Sequence, residues 1–150
     1  FCELCGVLCP FDEPAEQQLR LTLNCLKFLD NERLPADQIK AIFEMQLLCQ
    51  SGYRPDFSGC AVCRGKENMF FDLYEGRIFC PLHKSPRSIR LDRDIFLALS
   101  AVSSDDMKKA FLFTLPKERL KILSKITGEY IRVRLERSFK TLEFYESISE

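Results

Sequence analysis

This 150-residue chain has one histidine, a formal net charge of zero, and no apolar run of membrane length. A single histidine excludes the H-E-x-x-H signature of zinc hydrolases, which needs two. The zinc-deaminase pattern is missing as well, because no glutamate neighbours His83 and no separate P-C-x-x-C occurs. There is no P-loop, no G-x-G-x-x-G and no G-x-S-x-G. Charged residues interrupt the apolar stretches every few positions, so no segment is long enough to span a bilayer, and no signal-peptide architecture is visible. Zero net charge argues against a uniformly basic nucleic-acid coat. A soluble, cytoplasmic, non-enzymatic protein with no membrane association and no small-molecule substrate is expected.

What is present is concentrated in one segment. Cys60-Ala-Val-Cys63 is followed, after sixteen residues, by Cys80-Pro-Leu-His83. Four soft ligands in this C-x2-C-x16-C-x2-H spacing are suited to one tetrahedral Zn²⁺, because each two-residue gap lets a tight turn bring its pair of donor atoms onto one metal. The competing reading is four packed core residues with a histidine close by. Paired spacing is far more specific than that, and the chain's one histidine occupies the fourth ligand position. Three thiolates and an imidazole leave no open coordination position, so a structural role is expected rather than a catalytic one. Between the pairs, Phe70, Phe71, Leu73, Tyr74, Ile78 and Phe79 are strand formers and Glu75-Gly76 is a turn, which predicts a β-hairpin within a zinc-binding insertion over 56–84.

Composition sets the frame for this insertion. With 46% apolar residues and 13 Phe, the chain can bury a sizeable core as one domain over 1–150. Eight cysteines in a chain of this size and charge are better read as reduced thiols than as a secreted disulfide scaffold. The chain begins at Phe1, in the middle of an apolar segment, and a missing N-terminal portion is expected.

Helical spacing dominates elsewhere. A first helix is expected to stop near Pro10. Asp12 is expected to cap a second, with Pro14 in its first turn and Leu19, Leu23 and Leu26 sharing one face. Pro35 opens a third, with Ile39, Ile42, Phe43, Leu47 and Leu48 as its buried stripe, ended by Gly52. Asp92 and Ser104 are expected to cap two short helices, the second running through Leu112. Pro116 opens a long helix carrying Leu120, Leu123, Ile126, Tyr130 and Ile131, with Gly128 loosening its register. A break near Ser138 precedes a last segment packed through Leu142 and Tyr145. The fold class is therefore mainly α, a helical bundle with an inserted zinc-bound β-hairpin.

The chain resembles a known family in the run Phe43-Glu44-x-x-Leu47-Leu48-x-x-x-Gly52-Tyr53-x-Pro55-x4-Cys60-x-x-Cys63, then Phe71-x4-Gly76-x3-Cys80. This run is similar to the C-terminal domain of the bacterial recombination mediator RecO, and Ser138-Phe139-Lys140-Thr141-Leu142-Glu143-Phe144-Tyr145 resembles the end of that family. The resemblance implies a helical, zinc-binding second portion of a protein whose N-terminal OB-fold is not in this chain. It implies a nucleoid-associated role in DNA repair and homologous recombination: binding DNA, single-stranded and also double-stranded, annealing strands and helping to load RecA. The implied partners are RecR and the acidic C-terminal tail of single-stranded-DNA-binding protein. The family's usual fourth ligand is cysteine where this sequence has His83, a replacement that keeps a zinc site sound and makes it one unit less negative. The main alternative is a general zinc-ribbon interaction module of a transcription or assembly factor.

Charge is unevenly spread. Residues 1–50 carry a net −4, whereas 108–140 carry a net +7. Arg134, Arg137 and Lys140 are expected on one late helix, with Arg132 partly opposite, and Arg87, Arg90 and Arg93 follow the metal site. Each set is either a solvated face or a patch for phosphates or for an acidic tail. Cys2, Cys5 and Cys9 share a helix face and read as a small-residue stripe rather than a second metal site, and Cys25 and Cys49 as core thiols. Phe111, Phe113, Phe139 and Phe144 are expected in the core, while Phe70 and Phe71 must face opposite ways.

Overall fold

The computed structural model describes residues 1–9 and 12–149, so the expected helix stop at Pro10 lies outside the described residues. Among the described residues, seven helices and one small sheet follow in the order α1 (Cys2–Leu8), α2 (Glu16–Asp30), α3 (Ala36–Gln50), β1 (Phe70–Asp72), β2 (Arg77–Phe79), β3 (Ile89–Arg90), α4 (Arg93–Val102), α5 (Met107–Leu112), α6 (Lys117–Leu135) and α7 (Lys140–Ser149).

Helix α3 is the axis of the bundle. Every residue from Gln38 to Cys49 is buried, because α1, α2, α4, α5 and α6 surround it. A helix covered on all sides cannot keep only apolar residues on one stripe, and its buried polar side chains Gln38, Lys40, Glu44 and Gln46 all have partners. Gln38 donates to the Phe113 carbonyl, and Gln46 donates to the carbonyls of Val102 and Ser104. Lys40 Nζ donates to Glu44 and to the Ser124 carbonyl, and Thr127 donates to Glu44 at 2.6 Å. Burial pushes the Glu44 carboxyl up from its ordinary value, against the pull of Lys40 and Thr127. Gly128 does not loosen α6, which runs unbroken. A Cβ there would lie 3.3 Å from Lys40 Nζ, so the glycine makes room for this buried ion pair.

Other helix boundaries differ from expectation for local reasons. Asp12 takes a left-handed φ of 64° in a turn, and the helix start moves to Ala15. Asp106, not Ser104, caps α5 by accepting the Lys108 amide, while Ser104 Oγ accepts the Asp106 amide. Asp92 stands at the N-cap of α4 but turns its carboxylate to Arg119. Gly52, at φ 88°, follows α3 as expected. Leu19, Leu23 and Leu26 do share a face, and it is the solvent face, with Leu19 59% exposed; Leu21 and Cys25 carry the burial instead. Phe139 is in the core and Phe111 and Phe113 pack against it, whereas Phe144 is 67% exposed. Cys25 and Cys49 are buried thiols, pushed up by that burial to about 12 and about 11.

The sheet sits on the bundle in the order β2-β1-β3, all antiparallel. Phe71, Ile78 and Ile89 form one row facing the bundle, where Phe71 packs 5.3 Å from the Tyr130 ring of α6. Phe70 and Asp72 face the other way. Leu73 and Tyr74 belong to the turn rather than to a strand, and a third strand, β3, pairs with β1. Gly76 (φ 66°) closes the turn where a Cβ would stand 2.7 Å from Tyr130 Oη, so only glycine allows the hairpin to approach α6 this closely.

Candidate metal centre and its basic flank

Two tight turns, or knuckles, bring the four expected ligands together. In the first, Cys60 N donates to the Gly65 carbonyl and Arg64 N to the Cys60 carbonyl, and Gly59 lies so close to Arg64 that a Cβ would stand 2.8 Å from its carbonyl oxygen. In the second, the amides of His83 and Lys84 both donate to the Cys80 carbonyl. The Ala61 amide donates to the Ile78 carbonyl and so ties the first knuckle to the hairpin that carries the second.

The donor atoms of Cys60, Cys63, Cys80 and His83 all lie within 4.8 Å of one another, and among the described residues no other group of three or more such side chains converges. His83 Nδ1 lies 3.2 Å from Cys80 Sγ and 3.6 Å from Cys60 Sγ, and Cys63 Sγ lies 3.8 Å from Cys80 Sγ. A tetrahedron with bonds of about 2.0–2.3 Å separates its donors by about 3.3–3.8 Å, close to these spacings, so the cluster suits one metal ion. The chemistry of the donors fits too. Burial opposes ionisation of Cys60, but the amides of Cys63, Cys80 and Val62 and the His83 ring outweigh it and bring the thiol down to about 5. The Gly65 amide favours a Cys63 thiolate, but Cys60 and Cys80 beside it outweigh that amide and push the Cys63 thiol up. Stacking a second and third thiolate here calls for a cation in their midst. Cys2, Cys5 and Cys9 form no such group: Cys2 is exposed, and Cys5 and Cys9 are half-buried against the bundle.

The loop after His83 folds back over the outer face of the sheet, and Asp72 holds it there. Asp72 is fully buried. Its carboxylate accepts the amides of Tyr74 and Glu75 and the Ser85 hydroxyl (2.6 Å), and Arg87 Nε stands 3.5 Å away. Burial pushes this carboxyl up, but Ser85, the two amides and Arg87 together hold it below its ordinary value. Lys84 Nζ lies 4.1 Å from the centre of the Phe70 ring, and the Arg87 guanidinium 4.5 Å from that of Tyr74. Sequence reasoning missed Asp72. Its signal is a lone acid amid the apolar run Phe70-Phe71-Asp72-Leu73-Tyr74, in the position of an Asx-turn.

The late basic residues do not form one helix face, because α6 ends at Leu135 and Glu136 takes a left-handed φ of 50°. Arg134 turns toward the hairpin and donates to the Tyr74 carbonyl at 2.6 Å, with its guanidinium also near the rings of Tyr53 and Tyr130. Arg137 lies over Phe139, and Lys140 begins α7, where Glu3 accepts the amides of Lys140 and Thr141. Arg132 is paired with Glu129 and Glu146. Arg90 is exposed on edge strand β3, and Arg93, at the start of α4, borders a groove with Lys66 and Phe96. Only Arg87 and Arg134, of the two expected sets, meet at one place.

The family profile described as "Recombination protein O C terminal" matches residues 1–143. The chain belongs to the RecO family. It is 26% identical over 148 residues to the DNA repair protein RecO of Caldicellulosiruptor bescii, covering 97% of this chain and 60% of that protein. Identity is 27% to the DNA repair protein RecO of Acetivibrio thermocellus, with 91% and 56% covered, and 28% to that of Dehalococcoides mccartyi, with 99% and 60% covered. The chain thus spans about three-fifths of the length of these relatives. No solved structure matches it. Its helices and small sheet agree with the mainly helical class expected, and among the described residues no helix is long and apolar enough to cross a membrane.

Proposed function

We propose that this chain is a single helical domain, with the hairpin over 56–84 inserted, that serves DNA repair and homologous recombination by binding rather than by turnover. The observation that carries this reading is the family match over residues 1–143, with relatives named DNA repair protein RecO. Cys60, Cys63, Cys80 and His83 hold one Zn²⁺, which closes the two knuckles and supplies no open position for a substrate. The protein acts in the bacterial cytoplasm, at the nucleoid, on single-stranded and also double-stranded DNA, with RecR and the tail of single-stranded-DNA-binding protein as partners in annealing and RecA loading.

Two surfaces support these assignments. Arg87 and Arg134 at the hairpin offer cations to phosphates. Between α1, α3 and α7, a cavity of about 300 Å³ is lined by Phe1, Leu4, Phe43, Phe139 and Leu142. Arg137, lying over Phe139, adds a cation beside this wall, which suits an acidic tail with an apolar end. The test joins elemental analysis of the purified chain to a pull-down with labelled oligonucleotide, RecR and the acidic tail peptide. About one zinc per chain and retention of these partners is the expected result. Zinc with none of the three retained would replace the repair reading by a general zinc-ribbon interaction module.

A further inference from the structure

Tyr74 is exposed over 57% of its surface, yet it is not a stray surface aromatic. Two cations from separate parts of the chain converge on it. Arg87, on the loop after the second knuckle, lays its guanidinium 4.5 Å from the ring centre, and Arg134, at the end of α6, clamps the Tyr74 carbonyl. The residue is held from behind as well: its amide donates to buried Asp72, and Gly76, two positions on, fits against Tyr130. The backbone that carries the ring is therefore held in place, with Arg87 4.5 Å from the ring centre and most of the residue open to solvent. The Arg87 side chain is itself 57% exposed, so its outward N–H groups remain accessible beside the ring. Lys84 over Phe70, on the outer face of β1 four residues earlier in the chain, repeats the pairing of a cation with a ring.

An exposed aromatic ring on a braced backbone, with cations beside it, is an arrangement suited to single-stranded nucleic acid, since every base has a π-face to stack and every linkage a phosphate to pair. We infer that Tyr74, flanked by Arg87 and Arg134, is a base-stacking position for single-stranded DNA, built jointly by the hairpin and α6. This deepens the DNA-binding part of the proposed function and rests on it. It also assigns the metal-bound knuckle a task, because the loop that begins at His83 is what carries Lys84 and Arg87 onto the aromatic rings. An acidic peptide could use the two arginines but would have no need of the tyrosine ring, and that difference separates the two partners.

The test uses the whole chain in its metal-bound form and a fluorescein-labelled oligo-dT, with a duplex of equal length and an Asp/Glu-rich peptide as parallel probes. Tyr74→Ala is expected to weaken oligo-dT binding about 5- to 100-fold. Tyr74→Phe keeps the ring and should bind like the wild type, and the salt dependence of Tyr74→Ala should match the wild type because no phosphate contact is lost. Arg87→Gln should lower the slope of log affinity against log salt by about one. A 5-iodouracil placed in the strand should photocrosslink to Tyr74, a readout independent of affinity. Wild-type binding to oligo-dT that Tyr74→Ala leaves unchanged, with no crosslink at Tyr74, would overturn this inference and leave the DNA-binding reading standing. No binding of oligo-dT or duplex by the wild type would overturn both. Peptide binding that competes with oligo-dT and ignores Tyr74→Ala would reassign the arginines to a protein partner.

Discussion

In α3, twelve consecutive residues from Gln38 to Cys49 are buried, whereas β1 and β2 have three residues each and β3 has two. The bundle is held by area: each fully buried Leu, Ile or Phe contributes about 1.5–3 kcal/mol, and α3 alone supplies several. The hairpin region has no such reserve. It depends on a few strong points, namely the Cys3His cluster, the Asp72 hub and the close approach of Gly76 to Tyr130. One region degrades gradually when a contact is lost, and the other fails at a key. The exposed rings and cations of the proposed DNA-binding face lie in the second and are positioned by those keys.

The contrast is broken most sharply by removing the metal. A structural zinc contributes on the order of 10 kcal/mol to the folding of its own loop. Chelation should therefore abolish amide hydrogen-exchange protection at Ile78, Phe79 and Leu91 while α3 and α6 stay protected. Loss of protection in α3 at the same rate would show that the two regions are one cooperative unit.

Within the bundle, the contrast is sharpened at the buried ion pair, a place where α3 also depends on a key. Lys40→Met leaves Glu44 buried beside Thr127 without its cation, and about 3–5 kcal/mol of stability should be lost in urea denaturation. Replacing both, Lys40→Met with Glu44→Leu, should recover most of that loss. A double variant as unstable as the single one would mean that apolar packing cannot stand in for the pair.

The smallest effect is expected at Asp72. Asp72→Asn should cost about 1–3 kcal/mol, confined to the hairpin, and the effect carries a pH signature. Its carboxyl is held below its ordinary value of 3.8 in the folded chain, so the stability it adds is fully present above that value. That contribution is lost as pH falls further, through the lowered folded value. The difference between wild type and variant should be full at pH 7 and shrink below about pH 4. If the Cys3His cluster holds zinc as proposed, its loss in acid would be common to both proteins and cancel in the difference. A gap that widened in acid would contradict the assignment.

What the sequence disclosed follows the same division. The ligand spacing, the Gly76 turn and the stripes of α3 and α6 were legible because each has a single physical solution. Helix α2 was not, because Leu19, Leu23 and Leu26 and Leu21, Cys25 and Phe28 both have helical spacing, and only the position of α3 decides which set is covered. The late arginines were misplaced because Glu136 breaks the helix in a left-handed conformation that nothing in its residue type announces. Strand β3 has two residues and owes its existence to the pairing of Ile89 and Arg90 with β1, a contact beyond the reach of local propensity.

The burial of α3 has a consequence for how the chain is made. Its covering is completed by α6, which ends at Leu135, 85 residues after α3 ends at Gln50. At roughly 5–20 residues per second, a ribosome leaves α3 without that cover for about 4–17 s. During that interval Ile39, Ile42, Phe43 and Leu47 lack the α6 cover, and α4 and α5 are added only part-way through it. The helix that anchors the finished domain is thus its most vulnerable segment during synthesis, and a chain cut short before α6 would present that apolar surface to whatever it meets.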